Sequence, residues 1–158
     1  MDLHNDFKVV FTGHSLGGAL TVHAAIDSMM NGLDPSRMKV YTFGQPRIGN
    51  KYLEEKLTQN VKECYRIVHN ADIVSQLPPC ISTNGLKGEC LFDGILPYYP
   101  YHSIQEVFYS QDMKNYELCS LENPLCSRKF GPWWSGSDHV EYFGINVGEF
   151  WHSAGESF

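Results

Sequence analysis

Ser15 stands in Gly13-His14-Ser15-Leu16-Gly17, a G-x-S-x-G spacing that exposes a hydroxyl on a sharp turn. A serine hydroxyl is a weak nucleophile until a base takes its proton. Chemistry at Ser15 therefore calls for a histidine to accept that proton and a carboxylate to orient the histidine. In this type of turn the acid and then the histidine follow the serine along the chain. Asp72 comes shortly after Arg66-Ile67-Val68-His69-Asn70, where a strand end meets a loop, the usual place for active-site residues of open α/β sheets. Asp93 and Asp112 sit in less defined loops. Asp138 also competes, although a side chain adjacent to the base rarely aligns for that hydrogen bond.

Seven histidines compete for the role of base. His4 precedes the folded part, His23 falls in the middle of a helix and His152 lies in the tail. His14 adjoins Ser15 but is expected to point elsewhere. His69 reads as packing at a strand end, and His102 as the start of a strand. His139 lies late in the chain, in a glycine- and serine-containing loop that can swing over the serine. Chain order favours it. The backbone N–H of Leu16, at the start of the following helix, is the natural donor to a developing oxyanion.

These residues need elements to position them. Residues 8–12 are β-branched and aromatic and read as a strand. From Leu16, small and apolar residues recur at helical spacing (Leu16, Ala19, Leu20, Ala24, Ile26, Met30), and Asn31-Gly32 supplies a stop. Gly13 and Gly17 are expected to remove Cβ clashes where strand and helix approach. Further strands are expected at 38–44, 64–69 and 102–110, with a helix at 50–60 that places Tyr52, Leu53 and Leu57 on one side. Strands alternating with helices predict an α/β fold, a mainly parallel sheet with helices on both faces. Residues 80–101 are rich in glycine, proline and tyrosine and read as loop. Trp133, Trp134, Tyr98, Tyr99 and Tyr101 either line an acyl groove or pack loops. No repeat or linker divides the chain, so a single domain is expected over 1–158, with its core at 7–144 and a tail at 145–158.

Composition narrows the classes. Of 158 residues, 42% are hydrophobic and 19% charged, as in a globular domain rather than a disordered chain. Twelve Lys and Arg stand against 18 Asp and Glu, with no basic cluster, which argues against nucleic acid as a partner. No run is long and apolar enough to span a membrane, and the first residues do not form a secretory signal. Among the five cysteines, the short separations Cys80 to Cys90 and Cys119 to Cys126 read as disulfide staples, with Cys64 left as a thiol. Staples imply an oxidising compartment.

The blocks at 11–20, 40–50, 65–79, 101–109, 119–127 and 138–144 together resemble the class 3 lipases, the fungal-lipase-like α/β-hydrolases, in that family's order. The resemblance covers residues 7–144. It implies an α/β-hydrolase fold and a serine ester hydrolase, triacylglycerol lipase-like, with Ser15 as nucleophile, Asp72 as orienting acid and His139 as base. Phospholipase or other carboxylesterase activity is the alternative, and an inert fragment or binding module a further one. The implied partner is a lipid or other ester substrate at an interface, and no metal or organic cofactor is needed. Gly44, Pro46, Arg47 and Gly49 fall on the family's structural loop. The cysteine pattern resembles secreted animal members, which implies an extracellular parent protein. The family's domain begins well before the serine turn, with early strands, a lid helix and a loop giving a second oxyanion donor. This chain therefore resembles the C-terminal portion of such an enzyme.

Overall fold

The computed structural model describes residues 6–79, 100–102, 104–120 and 123–150. The predicted strands and helices form in the expected order. They are β1 (Val9–His14), α1 (Leu16–Met30), β2 (Met38–Phe43), α2 (Lys51–Asn60), β3 (Glu63–His69) and β4 (Gln105–Tyr109). β5 (Tyr116–Cys119), a single helical turn α3 (Ser137–Val140), β6 (Glu141–Tyr142) and β7 (Ile145–Asn146) follow. The main sheet runs β1-β2-β3-β4-β5. Its first four strands are parallel and β5 is antiparallel to β4. β6 and β7 form a separate small hairpin.

Period-two alternation decides which residues enter the core. Met38, Val40 and Thr42 of β2 are buried while their neighbours are less so. Val40 pairs with Cys64 and Phe11, and these residues meet Val22, Ala25 and Ile26 of α1 and Leu57 of α2 in one cluster. α1 is helical where its spacing predicts, but its buried stripe is Gly18, Ala19, Thr21, Val22, Ala25 and Ile26. Leu16, Leu20 and Met30, counted above with the apolar pattern, lie on the outer side and are exposed. α2 begins at an Asn50 cap, whose side chain accepts from Leu53 N–H at 3.0 Å.

Both long helices lie on this one face. Among the described residues the opposite face presents Tyr41, Tyr65, Ile67, Val107, Tyr109 and Leu118 along an open apolar groove. β5 arises in a stretch that reads as a cysteine-bearing loop, because it is only four residues long and three of them are exposed. Its end carries the expected Cys119–Cys126 disulfide, and Cys64 is a buried thiol. The expected Cys80–Cys90 pairing, Asp93, Tyr98 and Tyr99 lie outside the described residues.

A polar seam runs through the helix side. Arg66 Nη2 meets Glu106 Oε2 at 2.6 Å, with both side chains nearly inaccessible. Glu106 Oε1 also accepts from Ser127 N–H at 3.0 Å, and Ser127 Oγ accepts from Gln76 Nε2 at 2.8 Å. Removing one partner of a buried pair strands the other charge. Glu106→Ala is therefore expected to cost about 3–5 kcal/mol in urea unfolding. Glu63→Ala, which breaks the exposed Lys39–Glu63 pair, should change little. Equal effects of the two substitutions would contradict this reading.

Candidate active site

The three residues nominated from the sequence converge above the C-terminal ends of the parallel strands. Ser15 links β1 directly to α1 at φ 57° and ψ −128°, a left-handed conformation that non-glycine residues rarely adopt. Its backbone is fixed on both sides, with Ser15 N–H donating to Phe43 O at 2.8 Å and its carbonyl accepting from Gly18 N–H at 2.9 Å. The close approach of strand and helix needs Gly13, where a Cβ would overlap the Gly17 carbonyl, and Gly18, where it would lie 3.1 Å from Gly13 O. A Cβ on Gly17 would meet nothing within 4 Å. The clash-avoiding glycines are thus 13 and 18, not 13 and 17, because the residue facing the strand is one further along the helix.

His139 sits in the α3 turn. Its Nε2 is 2.8 Å from Ser15 Oγ, and its Nδ1 is 3.0 Å from both oxygens of Asp72. A carboxylate only accepts, so Nδ1 carries the proton and the Nε2 lone pair faces the serine hydroxyl. Asp72 has no accessible surface. Its Oδ1 accepts from Val74 N–H at 2.8 Å and Ser75 N–H at 3.3 Å, and its Oδ2 accepts from Tyr142 Oη at 2.7 Å. Burial works against its ionisation, but the hydrogen bonds from His139 and Tyr142 prevail and hold the carboxyl below its ordinary value of 3.8. Leu16 opens α1, where an N–H has no carbonyl within the helix to bond.

The segment carrying His139 is tied down by backbone bonds. Ser135 N–H donates to Ala71 O at 2.7 Å, and Ile73 N–H to Ser135 O at 3.2 Å, so Asp72 and Ser135 form a short parallel bridge. Asp138, weighed above as a rival acid, turns away from His139. It accepts from Asn70 Nδ2 at 2.8 Å and Ala71 N–H at 3.1 Å. Asp112 is a turn residue bonded to Ser110 and Lys114.

The structure corrects the expectation for His14. It does not point elsewhere: its Nε2 donates to His139 O at 2.7 Å and its ring stacks on that of His139 at 4.6 Å. Burial lowers its pKa below 6.5. Two further residues at the site do not read as part of it from the sequence. Tyr142 shows no local motif, its one signal being the three-residue spacing from His139. Gly44, assigned to a structural loop, has φ 58°, and a Cβ there would lie 2.6 Å from Asp72 Oδ2 and 3.0 Å from His139 Nδ1. Arg47 bonds Gln76 O at 2.7 Å and Pro78 O at 3.0 Å, pinning the loop beyond Asp72. Trp133 is exposed, and Tyr101 is held to Gly49 by a backbone bond of 2.8 Å.

A parallel sheet with a serine turn at one strand end, and a histidine and a buried carboxylate from later loops, defines an α/β-hydrolase. The class 3 lipase model matches residues 1–82. A lipase of Caenorhabditis elegans is 32% identical over 93% of this chain. The solved Rhizomucor miehei lipase–propeptide complex superposes with a TM-score of 0.70 at 31% identity over 92% of this chain. A triacylglycerol lipase whose catalytic centre is a serine protease triad gives 0.71 at 32% identity over 91%. The chain belongs to the class 3 lipase family. It spans 47%, 43% and 50% of the lengths of these three proteins respectively.

Two outcomes follow from the geometry. Gly44→Ala inserts a methyl between Asp72 and His139, and should cut phosphonylation of Ser15 by about a hundredfold in protein that is still folded. An unchanged rate would contradict the packing described. The second concerns His102, which is buried, donates from Nε2 to Ser75 O at 2.9 Å, and is held well below 6.5 by burial and the Arg66 charge. Above pH 6.5 this histidine is neutral folded or unfolded and contributes nothing. Below it the unfolded chain takes up a proton that the folded one refuses, so stability falls. The urea midpoint should drop between pH ~7.5 and ~5, and His102→Gln should flatten that slope. A slope unaltered by the substitution would contradict the assignment.

Proposed function

We propose that this chain carries the catalytic centre of a carboxylic ester hydrolase acting on acylglycerols. The observation that supports it most is His139, with Nε2 2.8 Å from Ser15 Oγ and Nδ1 on the buried Asp72 carboxylate. In this reading Ser15 Oγ attacks the ester carbonyl while His139 Nε2 takes its proton. Asp72 keeps the imidazole in the right tautomer and stabilises its charged form. The Leu16 N–H donates to the oxyanion. His139 then gives the proton to the departing alcohol, and water activated by the same histidine releases the acid from Ser15.

The substrate class rests on the names of the relatives, a worm lipase and a triacylglycerol lipase. The exposed side chains of Leu16 and Val140 flank Ser15 and His139 and offer an apolar approach for an acyl chain. Phospholipids and other carboxylic esters are the alternative substrates, for the acyl contacts beyond these two residues set that choice. We read the 158 residues as the C-terminal portion of a longer catalytic domain. The share of the relatives' lengths and the unpaired outer edge of β1 among the described residues support this. The Cys119–Cys126 bridge favours an extracellular location.

A fluorophosphonate probe should label Ser15, and Ser15→Ala should abolish labelling. Asp72→Asn should slow hydrolysis of a short p-nitrophenyl ester by about four orders of magnitude, because the imidazole then adopts the wrong tautomer. A version extended N-terminally by the relatives' additional half should hydrolyse emulsified triglyceride about a hundred- to a thousandfold faster, as expected from one more oxyanion donor. Labelling that survives Ser15→Ala would refute the nucleophile. Equal rates for both lengths would refute the partial oxyanion hole.

A further inference from the structure

His69 closes β3 and is 4% exposed, which fits strand-end packing, yet its ring is surrounded by backbone carbonyls. Nδ1 lies 2.7 Å from Glu141 O and 3.1 Å from Asp138 O, and Nε2 lies 3.2 Å from Gln111 O. Carbonyl oxygens only accept and a neutral imidazole carries one N–H, so the proton is assigned to Nδ1, the nitrogen that faces two carbonyls. The two carbonyls at Nδ1 stand on either side of His139 in the chain. Nδ1–H therefore clasps the turn that holds the base, from just before and just after it. The backbone adds a second tie: His69 N–H donates to Tyr142 Oη at 3.2 Å, and that hydroxyl in turn donates to Asp72 Oδ2 at 2.7 Å. The His69 and Tyr142 rings meet edge to face at 5.8 Å.

α3 is a single turn of four residues, too short to hold its own shape. Its position has to come from bonds to the rest of the molecule. Asp138 and His14 provide two of these, at the carboxylate and at His139 O. His69 provides the one that spans the turn and reaches back to the sheet.

From these contacts we infer that His69 is a positioning residue, whose Nδ1 donor fixes the 138–141 turn so that His139 faces Ser15 and Asp72 together. The inference rests on the roles proposed for Ser15, Asp72 and His139. Its content is specific to one ring nitrogen. Asparagine places an amide near the Nδ1 position and keeps the clasp, whereas glutamine places it near Nε2 and reaches Gln111 instead. A residue needed only to fill space would tolerate both equally.

The test compares His69→Asn and His69→Gln in the full chain, with two measurements. One is the rate of Ser15 phosphonylation by a fluorophosphonate, per folded molecule. The other is the low-field proton resonance of the His139–Asp72 hydrogen bond, which needs no turnover. Leu57→Ala, a core truncation remote from the site, controls for lost stability and should keep the wild-type rate per folded molecule. His69→Asn should stay within a few-fold of wild type and keep the resonance. His69→Gln should lose the resonance and react roughly ten- to a hundredfold more slowly, as misplaced catalytic groups do. Equal behaviour of the two variants in the resonance, or its absence from the wild type, overturns the inference. A wild type that shows the resonance but does not react with the probe refutes the proposed function alone, and the resonance still decides the role of His69.

Discussion

Asp72 is a carboxylate with no accessible surface, and the site is arranged around keeping it ionised. Taking such an ion out of water costs several kcal/mol. Four donors oppose that cost: the Val74 and Ser75 N–H groups, the Tyr142 hydroxyl and His139 Nδ1. Hydrogen bonds to a charged group contribute about 1.5–3 kcal/mol each, so four of them match the penalty. None is spare, and together they come from three separate parts of the fold. The loop after β3 supplies the amides, the β6 strand the hydroxyl and the α3 turn the imidazole. The carboxylate thereby gathers segments some seventy residues apart in the chain, and the orientation of His139 follows from the same set of bonds.

The opposite side of the imidazole depends on backbone geometry rather than charge. Ser15 holds a left-handed conformation whose strain is about 1–3 kcal/mol. The bond from Ser15 N–H to Phe43 O, the first bonds of α1 and the tight contact at Gly13 over-determine it. Gly44, next along from Phe43, completes the arrangement by leaving out a side chain where Asp72 and His139 meet. One strand end thus anchors Ser15 by the Phe43 carbonyl and admits Asp72 and His139 by the missing Cβ of Gly44.

Local features were readable from the residues, and long-range ones were not. The strand, the turn and the helix around Ser15 are written in adjacent glycines and β-branched residues, and the fold carries them there. The outward face of α1 was misjudged because Leu16 and Leu20 fit a helical period as well as the truly buried Ala19, Val22 and Ile26. β5 was missed because its exposed Tyr116, Glu117 and Leu118 become a strand only by pairing with the edge of β4. Chain order singled out Asp72 and His139, yet the partners that steady them carry no motif. Tyr142, His14 and His69 act through atoms brought together by the fold, and nothing in their immediate neighbourhood announces it. Asp138 failed as a rival because the fold commits its carboxylate to Asn70 and Ala71, which its place beside His139 in the chain does not announce.

The central claim is that Asp72 is an ionised, donor-stabilised carboxylate that holds His139. Following the Asp72 carboxyl carbon by 13C NMR as pH falls tests it directly. The account predicts that the resonance keeps its carboxylate position down through the ordinary 3.8 and titrates only below it. Tyr142→Phe, which removes one donor, should move that titration upward. A carboxyl that takes up its proton above 3.8, or one that ignores the loss of the Tyr142 hydroxyl, would contradict the account.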